Sequence, residues 1–257
     1  MLFKAKDQPG TESRIILGMV LLKDNAPLDL GLFLKDVKNT KKYKIGKPGG
    51  DKTATTFTID DELVAIGFMP VPIPWGDLES AAKYAYNWET VLEDVKNHHG
   101  HLIVSIIQGA NDPIKRYRIF TSVISSLLRT NNAIGVFMGN QSLLISKEDY
   151  IDEADGMTAD WLPLNLWIYF GLRTINDKSI GYTYGLKEFN KEELEILDSE
   201  KSLEDIRRFL YNIAHYILDH NVQFKSGQTC GISESERIAI TLSPGQFVAS
   251  DSFKLAY

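Results

Sequence analysis

Residues 101–138 read HLIVSIIQGANDPIKRYRIFTSVISSLLRTNNAIGVFM. His101 to Ile107 is a continuous apolar run of strand length, the pattern of a strand covered on both faces. QGANDP then turns the chain. Asp112 supplies a helix N-cap, and Pro113 sits at the first helical position, where its missing N–H is no loss. Apolar periodicity carries a helix to about Arg129, Asn131-Asn132 ends it, and Ala133–Met138 reads as the next strand.

The same reading extends outward in both directions. Upstream, Ile15–Leu22 (IILGMVLL) is a buried strand closed by KDNAP, and Leu28–Val37 is an amphipathic helix with Asp29 at its start. Thr53–Ile59 and Glu62–Met69 form a hairpin about Asp60-Asp61. MPVPIPWG cannot be an interior strand, since Pro70, Pro72 and Pro74 lack an N–H; it leads into a helix beginning near Gly76 or Asp77. Downstream, Ser146 caps a short helix over 147–154 with Gly156 as its stop, and a second hairpin turns at Asn176-Asp177. Leu203–Leu218 is a long amphipathic helix, and the tail is short strands broken by SPG, Ser243 to Gly245. These elements predict an α+β fold of mixed, mainly antiparallel sheets with helices packed on them. The order suggests two halves, residues 1–98 and 99–257, with a seam near Asn97–Gly100. A structural duplication and one continuous domain both remain open.

The 257 residues carry 28 Lys+Arg against 34 Asp+Glu, and 44% are hydrophobic, enough for a core without staples. A lone Cys230 excludes an intrachain disulfide framework and a Cys-rich metal site. The net charge of −6 opposes nucleic acid as a partner. The first apolar run is eight residues with no cleavage site behind it, and no run reaches membrane-spanning length, so a cytoplasmic protein without membrane contact is expected. Basic residues concentrate in Lys38–Lys52, read as a solvated turn. Acidic residues gather in Lys147–Asp160 and Gly185–Asp205, read as outer helix faces and caps.

Motifs for chemistry are weak. GKPGGDKT, Gly46 to Thr53, imitates a phosphate loop, but Asp51 replaces its second glycine and a strand follows. His98, His99 and His101 cluster without an evident third metal ligand beyond Glu93 or Asp94; a polar helix end is the preferred reading. Asp149, Asp152, Glu153 and Asp155 have helix-face spacing rather than that of a calcium loop. Cys230 has neither a helix start nor a neighbouring His to activate it. No cofactor or metal is expected.

The strongest surface candidate is aromatic. Met69, Pro72, Pro74 and Trp75 make a stiff segment that loses little entropy on docking, and Tyr84, Tyr86 and Trp88 follow it. Tyr182 and Tyr184 alternate on one strand face between Gly181 and Gly185, glycines that permit close approach of another backbone. The preferred reading of these residues is still intramolecular, with Trp75 stapling the helix start and the tyrosines filling the seam between the halves; a docking surface is the other reading.

Three strings carry a family resemblance: Phe68 to Ile106 (FMPVPIPWG through HLIVSI), LPLNLWIYFGL from Leu162, and GYTYGLKEFNKEELEILDS from Gly181. With the long helix after Ser202 and the closing SPG, they resemble the bacterial domain-of-unknown-function family numbered 4261, from about Ile15 to Tyr257. That resemblance implies a bacterial protein and brings no reaction with it. The second half is similar, at the level of fold, to chaperone-like modules of secretion and toxin-immunity systems. The expectation is a non-enzymatic module that binds another protein, immunity- or chaperone-like, as an adaptor or a part of a larger assembly. The alternative is an enzyme whose polar residues, first among them Asp77, Glu79, His101 and Glu188, meet in a cleft between the halves.

Overall fold

Ile16–Leu22 forms strand β1 and Leu30–Thr40 forms helix α1, in which the Asp29 carboxylate accepts the N–H of Leu32 at 2.9 Å. The structure, a computed structural model, describes residues 15–40, 43–109, 112–231 and 237–257. Parts of the basic run and of the QGANDP turn therefore lie outside the described residues. A two-residue strand β2 (Gly49–Gly50) precedes the hairpin β3 (Ala54–Ile59) and β4 (Glu62–Met69). Asp60 and Asp61 turn it at φ 45° and 73°, the left-handed pair that suits strand twist. Beyond the prolines lie α2 (Trp75–Ala82), α3 (Val91–Lys96), β5 (Gly100–Gln108), α4 (Pro113–Thr130) and β6 (Ala133–Met138). Asp112 caps α4 through the N–H groups of Ile114 and Lys115. The chain continues as β7 (Leu143–Ser146), α5 (Lys147–Asp155), β8 (Tyr169–Ile175), β9 (Lys178–Tyr184) and β10 (Glu193–Ser199). It closes with α6 (Leu203–Asp219), β11 (Thr229–Cys230), β12 (Ile238–Pro244) and β13 (Asp251–Leu255).

The strands form two sheets, ordered β2-β3-β4-β5-β1-β6-β7 and β11-β12-β13-β10-β9-β8. All pairings are antiparallel except β10 with β13, so the fold is α+β as expected. Because β5 and β6 both run antiparallel to β1 from opposite sides, they are parallel to each other and need the α4 crossover between them. Strand pairing thus runs straight across the expected seam at Asn97–Gly100. The change of sheet comes later, between β7 and β8.

Alternation along β1 sends Val20 and Leu22 into the main core and Leu21 into a second cluster, with Ile73, Leu78, Val95 and Phe137, under α2 and α3. The first sheet is thereby covered on both faces. From Arg116 to Leu128, α4 is buried on nearly every side, because the connection into β8 packs against it as well. There the Trp167 indole N–H donates to the Thr121 hydroxyl at 2.8 Å, and Tyr117 and Phe189 pack on its ring, tying the two sheets into one core. Helix α6 lies on the second sheet, with Ile206 and Leu210 directly over Gly181. Gly181 therefore permits close approach of this chain's own helix rather than of a partner.

One expectation is corrected. The acidic stretch Gly185–Asp205 meets a helix only at its end, where Glu204 and Asp205 lie in the capped first turn of α6; its centre is β10, and Glu193 and Glu195 are fully buried. Glu193 accepts hydrogen bonds from the Gly185 and Lys187 N–H groups and the Thr183 hydroxyl. Glu195 accepts from the Gln246 and Phe247 N–H groups, the Ser252 hydroxyl and the Lys254 ammonium. Each carboxylate thus anchors a loop, and these hydrogen bonds offset part of the cost of removing it from water.

Candidate functional site

The aromatic candidates separate into two places. The first is the proline connector. Met69, at the end of β4, and Pro72, Pro74 and Trp75 are exposed, with the Lys96 ammonium 5.1 Å from the Trp75 ring. Two histidines hold the connector from beneath. His98 Nε2 accepts the Ile73 N–H at 2.8 Å while its Nδ1 donates to the Val95 carbonyl at 2.5 Å, a pattern only the neutral ring can make. His101 Nδ1 donates to the Val71 carbonyl at 2.9 Å. Burial lowers the pKa of both rings, which favours neutral imidazole over the charged ring that a helix C-terminus attracts. His99 is exposed, with its Nδ1 3.1 Å from the Asn97 carbonyl. Among the described residues no group of three His, Cys, Asp or Glu is arranged to hold a metal ion.

The second place is the contact between the α2–α3 layer and the second sheet. Tyr84 and Tyr86 both meet Tyr169, Tyr84 edge-on at 5.4 Å between ring centroids and Tyr86 through a hydroxyl–hydroxyl hydrogen bond. Tyr169 packs edge-on against Tyr182 at 6.0 Å, and Tyr182 stacks on Phe247 at 5.3 Å. Burial, first, and its tyrosine neighbours then push the Tyr169 phenol far above its usual pKa, so it stays protonated. Tyr84 and Tyr182, apart in the sequence, are thus brought together by Tyr169, a residue of the LPLNLWIYFGL string not singled out as a candidate. Tyr184 pairs with Tyr169 across β9 and β8 and stays exposed. Trp88 and Tyr182, counted among surface residues on composition, are buried at 9% and 6% exposure. The Trp88 indole N–H donates to Asp94 at 2.7 Å, and its ring lies against Gly135 of β6.

A cleft of about 410 Å³ opens beside this cluster. Tyr84, Tyr86 and the edge of Trp88 line one part, β7 and the first half of β8 two others, and Asp149, Asp152 and Glu153 of α5 a fourth. Both strands are sheet edges: β7 ends the first sheet and β8 the second, and neither has a strand on its outer side among the described residues. Arg207 of α6 also reaches the cleft. It donates to the Asn165 side-chain carbonyl at 3.0 Å, and the Asn165 amide donates in turn to Glu153 at 2.6 Å. The acidic residues of Lys147–Asp160 therefore have two fates. Asp155 pairs with Arg129 on the outside, while Asp149, Asp152 and Glu153 wall the cleft.

The remaining candidates lie elsewhere. Asp77 and Glu79 are exposed on α2, His101 is buried under the connector, and Glu188 lies on the turn after β9; none lines the cleft. Asp51 accepts the Thr53 and Ala54 N–H groups, and these bonds lower its pKa, so the glycine-rich loop closes on its own carboxylate. Cys230 is half-buried on β11. No helix among the described residues is long and apolar enough to cross a membrane.

No curated protein and no solved structure matches the chain. Residues 182–256, from within β9 to the end of β13 and including Glu193 and Glu195, match the model of the family described as Domain of unknown function (DUF4261), so the resemblance to that family holds over most of the second sheet and α6.

Proposed function

We propose that the protein is a cytoplasmic bacterial binding module, non-enzymatic and of the chaperone or immunity kind, whose cleft takes up an extended segment of another protein. The observation that carries this reading is that two sheet edges, β7 and β8, open into the same cleft. An edge strand offers a row of backbone donors and acceptors with half of them unpaired, and an incoming strand satisfies them while its alternate side chains enter flanking pockets. Tyr84, Tyr86 and Tyr169 supply the aromatic contact that concentrates binding energy. The enzymatic alternative has less behind it, because its four polar candidates are dispersed.

The test is a photo-crosslinking amino acid at Tyr86, exposed and beside the cleft, with the exposed Leu32 of α1 as the control position. Crosslinking in cells from Tyr86 alone, with the linked site in an extended segment and slowed amide exchange over 143–146 and 169–172, supports the reading. The same products from both positions, or none from Tyr86, overturn it.

A further inference from the structure

The two edges say how a segment is held; the charges around them say what kind. We infer that the cleft is built for a basic strand, an extended peptide that carries Lys or Arg side chains into the space between α5 and the tyrosines. This rests on the strand-addition reading above and goes beyond it in naming the chemistry of the occupant.

Three observations converge. First, Asp149, Asp152 and Glu153 present carboxylates to the cleft, against Arg207 as the single cation among the described lining residues. Second, Arg207 is already engaged by Asn165, which in turn holds Glu153, so this guanidinium is directed along the cleft wall and leaves Asp149 and Asp152 uncompensated by it. Third, the opposite wall is aromatic: Tyr84, Tyr86 and the edge of Trp88 stand there, and ring faces attract cations as carboxylates do. An acidic segment would meet repulsion from α5 and gain nothing from the rings. A second copy of this chain is a poor occupant for the same reason. Its own β7 carries α5 directly behind it, so edge-to-edge pairing through β7 would bring two sets of Asp149, Asp152 and Glu153 together in a chain already at −6.

Strand addition also limits where the charges fall. Side chains alternate along an added strand, so Lys or Arg at every second position would meet the carboxylates while the intervening residues lie over the apolar side chains of Leu144 and Phe170.

The full-length chain would be panned against a display library of random ten-residue peptides, with the double variant Asp149→Asn, Asp152→Asn panned in parallel. The wild-type pool is expected to gain Lys and Arg in an alternating pattern. Its best peptide, made synthetically, should bind the double variant about tenfold more weakly, in line with loss of two solvent-facing charge pairs. Both proteins should show the same thermal midpoint, and the synthetic peptide should slow amide exchange in β7 and β8. A pool of neutral or acidic peptides that still protects β7 and β8 overturns the basic occupant and leaves strand addition standing. Equal affinity for both proteins overturns the inference, because the charge would then act elsewhere on the surface. A pool that protects neither edge, or a homodimer sealed at β7 and β8, overturns the strand-addition reading together with it.

Discussion

Glu195 Oε1, on the central part of β10, accepts the backbone N–H of Phe247 at 2.6 Å, across fifty-two positions of sequence. That bond fixes the loop between β12 and β13 against the second sheet and places Phe247 on Tyr182, so a buried carboxylate sets the position of an aromatic contact near the cleft. Burial works to raise the Glu195 pKa, but the bonds from Ser252, Phe247, Lys254 and Gln246 outweigh it and leave the group below the ordinary 4.5.

The two buried glutamates of β10 should respond differently to loss of charge. Glu195→Gln turns an NH₂ group toward N–H donors and an ammonium, and should cost about 3 kcal/mol at pH 7. The Glu193 pKa is instead raised, because burial outweighs its hydrogen bonds, so its charge is a burden at neutral pH. Glu193→Gln should cost under about 1 kcal/mol. Urea unfolding of both variants at pH 7 decides the matter, and equal losses would contradict it. The sign with pH follows from the same directions: the Glu195 contribution is intact above pH 4.5 and is lost as pH falls below it, whereas Glu193 favours the folded state most below 4.5.

Acidification should also loosen the protein through its histidines. His98, His101 and His215 all have pKa values lowered by burial, and His98 and His215 each accept a backbone N–H, from Ile73 and Leu162. The unfolded chain takes up these protons first, so stability is complete above 6.5 and declines as pH falls toward the lowered folded values. The urea midpoint is expected to drop between pH 6.5 and about 5.5, before carboxylates titrate. In His98→Asn, which keeps a side-chain acceptor without a titrating ring, the drop should be shallower. An identical slope in this variant would exclude His98 from the effect.

Much of the fold was legible because its signals are local. Asp60-Asp61 and Asn176-Asp177 announce turns through their tolerance of positive φ, and all four adopt it. Asp112-Pro113 and Ser146 announce helix starts through bonds spanning two or three residues. Glu193 and Glu195 misled for the opposite reason, since their partners lie up to fifty-nine positions away and acidic composition alone reads as surface. Trp88 was miscounted as surface because Trp is common at interfaces, while its fixed partner Asp94 and its seat on Gly135 come from folding. The cleft was invisible because β7 and β8 become neighbours only when the two sheets dock.

Close packing under α6 gives a third measurable consequence. A Cβ at Gly181 would run into Ile206 and Leu210, both in the core. Gly181→Ala should therefore displace α6 and destabilise by about 1–3 kcal/mol, lowering the thermal midpoint by several degrees in a chain of this size. Gly67, where a Cβ meets nothing within 4 Å, is the control, and Gly67→Ala should leave the midpoint nearly unchanged. A calorimetric scan that ranks the two variants the other way would refute this packing argument.

The two aromatic places should also separate in function. Trp75 sits on the connector with Lys96 over its ring and does not line the cleft, whereas Tyr86 lines it and is exposed. Removing either ring should leave the core intact, since neither is buried. Tyr86→Ala also deprives the Tyr169 hydroxyl of its partner at the cleft mouth, so it removes a ring contact and a hydrogen bond together. Binding of a cleft-directed peptide, followed by fluorescence anisotropy, should weaken about tenfold or more in Tyr86→Ala, the scale of an aromatic interface residue. In Trp75→Ala it should be unchanged. If Trp75→Ala abolishes binding while Tyr86→Ala does not, the working surface is the proline connector held by His98 and His101, and the cleft is a product of docking two sheets.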